Sequence, residues 1–272
     1  MGPPSSSYTR RVPAVDQAVR VMLCLAQHPG LPLTELCKRV GIHKSKGLAI
    51  LNTLAAHGLV LRNDSSKTYT LGPGLLPLSR SVLDHSELRA VAGPYLEPLA
   101  RATGGSAFLG LRAAERVFVV AKAEAPAGIG VTIRVGHGYP LTWGAHGKVL
   151  TAFAPPEERS RILELPVLHF HGAQARDEVD RPALEAELDE CCRKGFAVDP
   201  GRVHPGVSAV AAPVFGAGET PIGCVIVVGT FPPESAEAHG PRVAETAREV
   251  SRVLGPTLER VYGAGQRLET RN

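Results

Sequence analysis

Between Leu33 and Val60 the chain reads LTELCKRVGIHKSKGLAILNTLAAHGLV. Two helix-forming runs are split by a single glycine, and a basic cluster opens the second run. A helix Glu35–Val40, capped by Thr34, is expected to stop at Gly41, because glycine takes positive φ without a Cβ penalty. Ile42 then drops into the core. A further helix is expected over about Lys44–His57, with Ile50, Leu51 and Leu54 facing inward and Gly58 ending it. Helices joined by so short a turn must cross closely, and the small side chain of Cys37 suits that crossing. Upstream, Val15–Gln27 places Val15, Ala18, Val19, Met22, Leu23 and Ala26 at helical spacing, and HPG ends the run. Downstream, strand candidates Leu59–Arg62 and Thr68–Leu71 flank the turn-rich NDSSK. Three helices followed by two strands and a turn describe a winged helix-turn-helix.

Charge supports a nucleic-acid partner for this segment. The whole chain carries a net charge of +4, but residues 1–75 hold nine basic and three acidic residues. The excess positive charge is therefore confined to the first quarter, as in a polyanion-binding module joined to a neutral one. A recognition helix entering the major groove N-terminus first presents free backbone N–H groups and its dipole to phosphate. His43, Lys44, Ser45 and Lys46 occupy that end, Leu48 and Asn52 follow on the same helix, and Arg62 and Lys67 sit on the wing. These eight are the candidate DNA-contacting residues. The competing reading is an ordinary three-helix packing unit with solvated lysines.

The remaining chain has a different texture. A length of 272 residues with 44% hydrophobic and 21% charged residues allows more than one buried core. Residues 76–90 are expected to form a linker helix, with Pro77 and Pro94 as breaks. From Ser106 onward, β-rich runs (SAFLGLRA, RVFVVAKAEA, GVTIRVGHG) mix with helical ones (GKVLTAFAPPEERSRILEL, RPALEAELDECCRKG). VSAVAAPVFGAGETPIGCVIVVGTF reads as a hairpin with GAGE at its tip, and AEAHGPRVAETAREVSRVLGPTLERVYG as a closing helix. The expected class is α+β, an antiparallel sheet with helices packed on it. Residues 1–11 and 263–272 read as tails, 12–75 as the DNA-binding domain and 91–262 as the second domain.

Several functions are set aside by what the sequence lacks. No apolar run approaches the roughly 18 residues of a membrane span. MGPPSSSYTRR carries no apolar signal core, which makes the cytoplasm the expected address. The five cysteines, of which only Cys191 and Cys192 are close in sequence, form neither a disulfide framework nor a CxxC metal pattern, and buried inert thiols are expected. His137, His146, His169, His171 and His204 invite a metal hypothesis, with Cys191 and Cys192 as sulfur donors, but their spacing matches no known ligand pattern. Ser208, His204 and Asp199 are the right types for a triad without being evidence of one. There is no GxSxG, Walker pattern or GxGxxG after a strand. No catalytic set, cofactor or resident metal is expected; an enzyme or metal-binding protein is the alternative reading.

Three ordered stretches carry a resemblance. LPLTELCKRVGIHKSKGLAILNTLAAHGLVLRNDSSKTYTLGPGLLPLS resembles the winged helix-turn-helix of the IclR family of bacterial transcriptional regulators. YPLTWGAHGKVLTAF is similar to that family's PLHATALGKALLA pattern, and RKGFAVDPGRVHPGVSAVAAPVFGAGETPIGCVIVVGT to its RGYAVDDEEXXPGVXCIAAPVFD segment and following strand. The likeness runs from Val12 to Leu258. It implies a GAF-like effector-binding domain and a homodimer or homotetramer whose affinity for a double-stranded operator responds to a small molecule.

Departures from the family pattern carry information. Ala49 stands where the recognition helix usually has arginine, and Lys46 adds a charge one turn earlier. Gly47 inside the helix costs about 1 kcal/mol relative to alanine and permits a close approach, to DNA or to a neighbouring helix. Leu48 is placed either to meet a thymine methyl or to pack half-buried. In the effector domain the resemblance places Ala145, His146 and Asp199 at ligand-lining positions. Ala209 stands where the pattern has cysteine, and Ile226 and Val228 where it often has serines. Alternation puts residues 224, 226 and 228 on one strand face, which becomes apolar. A small carboxylate such as glyoxylate or pyruvate would lose its hydrogen bonds there. The expected effector is a less polar or aromatic molecule, with Trp143 and His146 as candidate contacts; Trp143 could equally be core.

Overall fold

In the computed structural model, which describes residues 12–78, 87–124 and 133–262, the N-terminal run folds as its glycine turn dictates. Helices α1 (Pro13–Gln27), α2 (Leu33–Val40) and α3 (Lys44–Ala56) are followed by strands β2 (Val60–Asn63) and β3 (Thr68–Leu71). Gly41 takes φ +72°, and the N–H groups of Gly41 and Ile42 both donate to the Cys37 carbonyl, at 2.9 and 3.0 Å. Val21, Leu25, Leu36, Val40, Ile50, Leu51, Leu54, Val60 and Tyr69 form one core, against which Ile42 packs.

Three local expectations are corrected. A short strand β1 (Leu31–Pro32) pairs with Thr68 and Tyr69, so the wing sheet has three strands in the order β1-β3-β2. Because the chain stays extended through Pro32, α2 starts at Leu33; Pro32 is its N-cap and Thr34 lies inside the first turn. On α1 the buried residues are Val21 and Leu25; of the expected face Ala18 and Met22 pack against the core, while Val15, Val19 and Leu23 are exposed. This helix is apolar over much of its circumference, so periodicity alone did not choose the face.

The crossing of α2 and α3 is tight. A Cβ on Gly47 would lie 2.3 Å from Sγ of Cys37, a separation that no packed pair tolerates. The glycine thus serves helix packing, not an approach to DNA.

The chain divides into two compact units, Met1–His85 and Ser86–Asn272. The tails expected over 1–11 and 263–272, and residues 79–86 of the expected linker helix, lie outside the described residues. The second unit contains α4 (Glu87–Thr103), β4 (Ser106–Ala113), β5 (Arg116–Ala123), β6 (Gly138–Pro140), α5 (Gly144–Ala152), α6 (Pro156–Leu163), β7 (Val167–Leu168), β8 (Gln174–Ala175), α7 (Arg181–Lys194), β9 (Ala197–Asp199), β10 (Ser208–Phe215), β11 (Pro221–Gly229) and α8 (Pro233–Tyr262). Six strands form one antiparallel sheet in the order β6-β5-β4-β11-β10-β9. Pro94 does not break α4 as expected. It lies within the helix, as does Pro98, and the burial of Ala92, Leu96, Leu99 and Ala100 offsets the backbone hydrogen bonds they forgo. Within GVTIRVGHG, residues 133–137 form a turn and strand begins only at Gly138; residues 130–132 lie outside the described residues.

Both faces of the sheet are buried. One packs Leu109, Leu111, Val210, Val225 and Val227 against α4 and α8. The other packs Phe108, Val119, Ala211, Cys224, Ile226 and Val228 with α5 and α7. The β4–β5 pairing slips by one residue: Leu109 faces Ala121 and Gly110 faces Val119, leaving Val120 over. This bulge flips the alternation of β5. Val117 and Val119 therefore join the α5 side, whereas Ala121 and Ala123 join the other.

Gly47→Ala is expected to destabilise the N-terminal unit by about 1–3 kcal/mol, although alanine is the better helix former. Thermal unfolding of G47A with and without Cys37→Ala tests the cause. The loss should shrink when Sγ is removed, and an equal loss in both backgrounds would exclude the contact.

Candidate functional site

The recognition helix separates its residues cleanly. Gly47, Ile50, Leu51 and Leu54 are buried, while Ser45, Leu48, Ala49 and Asn52 form one exposed stripe. Leu48 is 39% exposed, so it does not pack in the core. His43 is the N-cap: its Nδ1 accepts from the Ser45 N–H at 3.4 Å and lies 2.9 Å from the Ser45 hydroxyl. The sequence placed His43 at this end but did not show that it caps the helix. Lys44 and Lys46 are exposed beside it and have no acidic partner among the described residues. On the wing, Arg62 and Lys67 both face Asp64, at 3.5 and 4.0 Å. All three side chains are solvated, so these pairs are weak and the cations stay available to a polyanion.

In the second unit the seven residues expected around an effector, Trp143, Ala145, His146, Asp199, Ala209, Ile226 and Val228, line a single cavity of about 130 Å³. Its floor is the sheet face bearing Phe108, Val119, Ala209, Ile226 and Val228, and the first turn of α5 forms one wall. The loop after β9 supplies Val203, His204 and Val207. Sequence reading did not assign the contributions of Val119, Tyr139 and this loop. Val119 arrives through the bulge, and Tyr139 through a strand so short that no alternation marked it.

Aromatic rings crowd this wall. Trp143 is partly exposed, not core: it stacks on His169 with centroids 5.8 Å apart and lies 5.6 Å from His204 and 6.0 Å from Tyr139. His146 is buried, and its Nε2–H donates to the Pro140 carbonyl at 3.1 Å. Burial outweighs that bond and lowers its pKa to about 4. Burial also pushes the Tyr139 hydroxyl up. Asp199 is 4% exposed, and its carboxylate accepts from the N–H groups of Arg202 at 2.8 Å and Val203 at 3.3 Å. One of its oxygens would sit 3.2 Å from a Cβ on Gly144, so the acid lies at the start of α5.

A second carboxylate holds these parts together. Glu187 on α7 receives Lys148 Nζ from α5 at 2.6 Å, His171 Nε2–H at 2.9 Å and Arg202 Nη1 at 2.9 Å. Burial raises the Glu187 pKa, but the hydrogen bonds from His171 and Lys148 prevail and hold it well below the usual carboxylate range.

The residues of the alternative readings are occupied elsewhere. Ser208 donates to the Phe231 carbonyl at 2.9 Å, and Asp199 accepts from backbone, so neither joins His204 in a triad. His169 stacks on Trp143 and His171 pairs with Glu187. The described residues hold no group of three or more metal-ligating side chains in suitable proximity. Burial pushes the Cys191 thiol up to about 12, and Cys224 is raised by the same cause. Cys192 departs from the expectation of buried thiols: it is exposed, with Sγ 3.3 Å from the Ala152 carbonyl. No helix among the described residues is long and apolar enough to cross a membrane.

A winged helix-turn-helix followed in one chain by an α+β domain with such a cavity defines a class of DNA-binding transcriptional regulators. Comparison with known proteins gives the family. Residues 14–64 match the IclR helix-turn-helix domain, and residues 80–253 match the family described as bacterial transcriptional regulator IclR C-terminal. The chain belongs to the IclR family. It is 33% identical to the glycerol operon regulatory protein of Streptomyces griseus, over 90% of this chain and 98% of that one. It is 30% identical to the transcriptional regulator BhcR of Paracoccus denitrificans, over 93% and 90% of the two chains. The crystal structure of an IclR regulator from Alicyclobacillus acidocaldarius superposes with a TM-score of 0.74 at 30% identity, covering 89% of this chain and 99% of that one.

The buried His146 ties stability to pH. Its folded pKa lies below the ordinary histidine value of about 6.5, so the unfolded chain takes up this proton first as pH falls. Its contribution is complete above about 6.5 and is lost on the way down to about 4, at most about 3 kcal/mol. Chemical unfolding of His146→Gln should show a shallower loss of stability across that window than the parent. An unchanged slope would mean that the imidazole is not the responsible group.

Proposed function

We propose that this regulator binds a double-stranded operator through the exposed stripe of α3 and the wing, and that a small molecule in the 130 Å³ cavity changes that affinity. His43, Lys44, Ser45, Lys46, Leu48 and Asn52 face the major groove in this reading, with Arg62 and Lys67 on flanking phosphates. Ser45 and Asn52 are the hydrogen-bonding candidates for base edges, and Leu48 the candidate for a thymine methyl. The protein acts in the cytoplasm as a homodimer or homotetramer, as two-fold operators require of such readers.

One observation carries the effector assignment: the seven residues expected around a ligand converge on one mostly apolar cavity with an aromatic wall. Its volume is near the ~150 Å³ of an apolar protein cavity that admits benzene. The effector is accordingly a ring-sized, weakly polar or aromatic molecule. A charged two- or three-carbon acid would leave most of the apolar wall unfilled and its own charge poorly solvated. Binding shifts operator affinity only to the extent that the ligand prefers one state of the protein over another.

Two measurements check this function. Duplex binding should weaken steeply with added salt through counterion release, and Lys44→Ala with Lys46→Ala should flatten the log–log slope by about two units. Unchanged binding and slope would remove both lysines from the interface. In a thermal-shift screen with glyoxylate, pyruvate, glycerol and a set of aromatic metabolites, an aromatic compound should stabilise the protein most and also alter duplex affinity. The strongest shift from glyoxylate or pyruvate would overturn the apolar-effector assignment.

A further inference from the structure

On the recognition helix, one pair of contacts fixes where a hydrogen atom sits. The Ser45 N–H points at Nδ1 of His43 at 3.4 Å, and a backbone amide can only donate. Nδ1 is therefore the bare, accepting nitrogen of a neutral ring, and Nε2 carries the hydrogen. The Ser45 hydroxyl oxygen lies 2.9 Å from the same Nδ1. A nitrogen without a hydrogen has nothing to donate, so the hydrogen between the two atoms belongs to the serine, and Oγ–H donates to Nδ1. The Ser45 oxygen keeps two lone pairs and no free hydrogen. Ser45 is exposed on the stripe it shares with Leu48, Ala49 and Asn52, so that oxygen is open to whatever the stripe meets.

From this pair we infer that Ser45 reads the operator as an acceptor, selecting at one position of each half-site a base that offers an amino group to the major groove, adenine or cytosine. His43 is the positioning residue that sets this preference. The assignment rests on α3 entering the major groove and specifies what one of its residues reads there. Adenine presents its N6 amino group and cytosine its N4 amino group, whereas guanine presents N7 and O6, and thymine O4, all of them acceptors. An oxygen that can only accept satisfies adenine or cytosine, and sets lone pair against lone pair with guanine or thymine. The same reasoning takes Ser45 off the phosphates. Their oxygens are acceptors too, and the exposed Lys44 and Lys46 beside it supply the donors. A free serine makes no such choice, since a rotating hydroxyl donates or accepts as the base requires. With its hydrogen engaged by His43, a side chain that ordinarily suits either class of base suits one.

The test is selection of duplexes from a randomised library by the full-length protein, followed by direct titration of single-base changes in the enriched sequence. The parent should enrich a motif with one position per half-site confined to adenine or cytosine on one strand. Guanine or thymine there should weaken binding by roughly 5- to 100-fold. Ser45→Ala should level that position and leave the rest of the motif in place. His43→Ala removes the acceptor and frees the hydroxyl, so guanine and thymine should become acceptable at that position alone. His43→Asn keeps an oxygen that caps the helix and accepts from Ser45, and should restore the parent preference. A merely structural role for His43 would instead weaken every position alike in His43→Ala. That result, or guanine or thymine at the Ser45-dependent position in the parent, overturns the assignment while α3 stands as the reader. A motif unchanged by Ser45→Ala overturns it in the same way. If the parent enriches no motif, the operator reading itself falls.

Discussion

The second unit is organised around one carboxylate. Lys148 is almost fully buried, its side chain 5% exposed, and a buried ammonium is tolerable only with a close counter-charge. Glu187 supplies it, and in doing so joins α5, α7, the His171 segment and the loop carrying Arg202. Those same elements bear the cavity wall: α5 brings Ala145 and His146, the loop brings Val203 and His204, and His169 supports Trp143. Removing one partner from such a node strands a desolvated charge, a loss of about 3 kcal/mol or more. The node therefore fixes the cavity's shape without touching its interior.

The cavity's chemistry follows from what fills the strand face above that node. Alternation along β10 and β11 turns Ala209, Ile226 and Val228 toward α5, where side chains with hydroxyl or thiol groups would have given a small acid its partners. Aliphatic side chains there convert a polar recess into an apolar one. Asp199 lies beside the start of α5, where its carboxylate accepts from the Arg202 and Val203 N–H groups. The recognition helix makes the same economy of faces in the first unit. Its inner side is closed down to a glycine so that α2 can approach, and its outer side keeps in water a hydroxyl and two lysines that have no acidic partner among the described residues.

Much of this was legible in the sequence because the governing signals are local. Gly41 announced the turn, the 3.6-residue period gave the inner face of α3, and the period-2 pattern gave the cavity face of β11. The misreadings have physical causes of the same kind. The α1 face was read only in part, since Ala18 and Met22 pack on the core but Val15, Val19 and Leu23 do not, because that helix is apolar on more sides than it buries. Pro94 sits inside α4 because packing outweighs a lost backbone bond. Thr34 lost its capping role to a two-residue strand too short to leave a pattern.

The sequence by itself determined the winged helix-turn-helix and the antiparallel α+β domain, because each follows from neighbours within a few positions along the chain, while the seven residues around the cavity were marked chiefly by the resemblance to the IclR family. The tertiary structure alone decided that Gly47 serves Cys37, that Val119 reaches the cavity and that Asp199 lies against the start of α5. Those facts depend on a side-chain clash between helices, on an extra residue in a strand pairing and on a loop folding back across some fifty positions. Such relations arise only when distant segments are brought to van der Waals contact, and no periodicity encodes them.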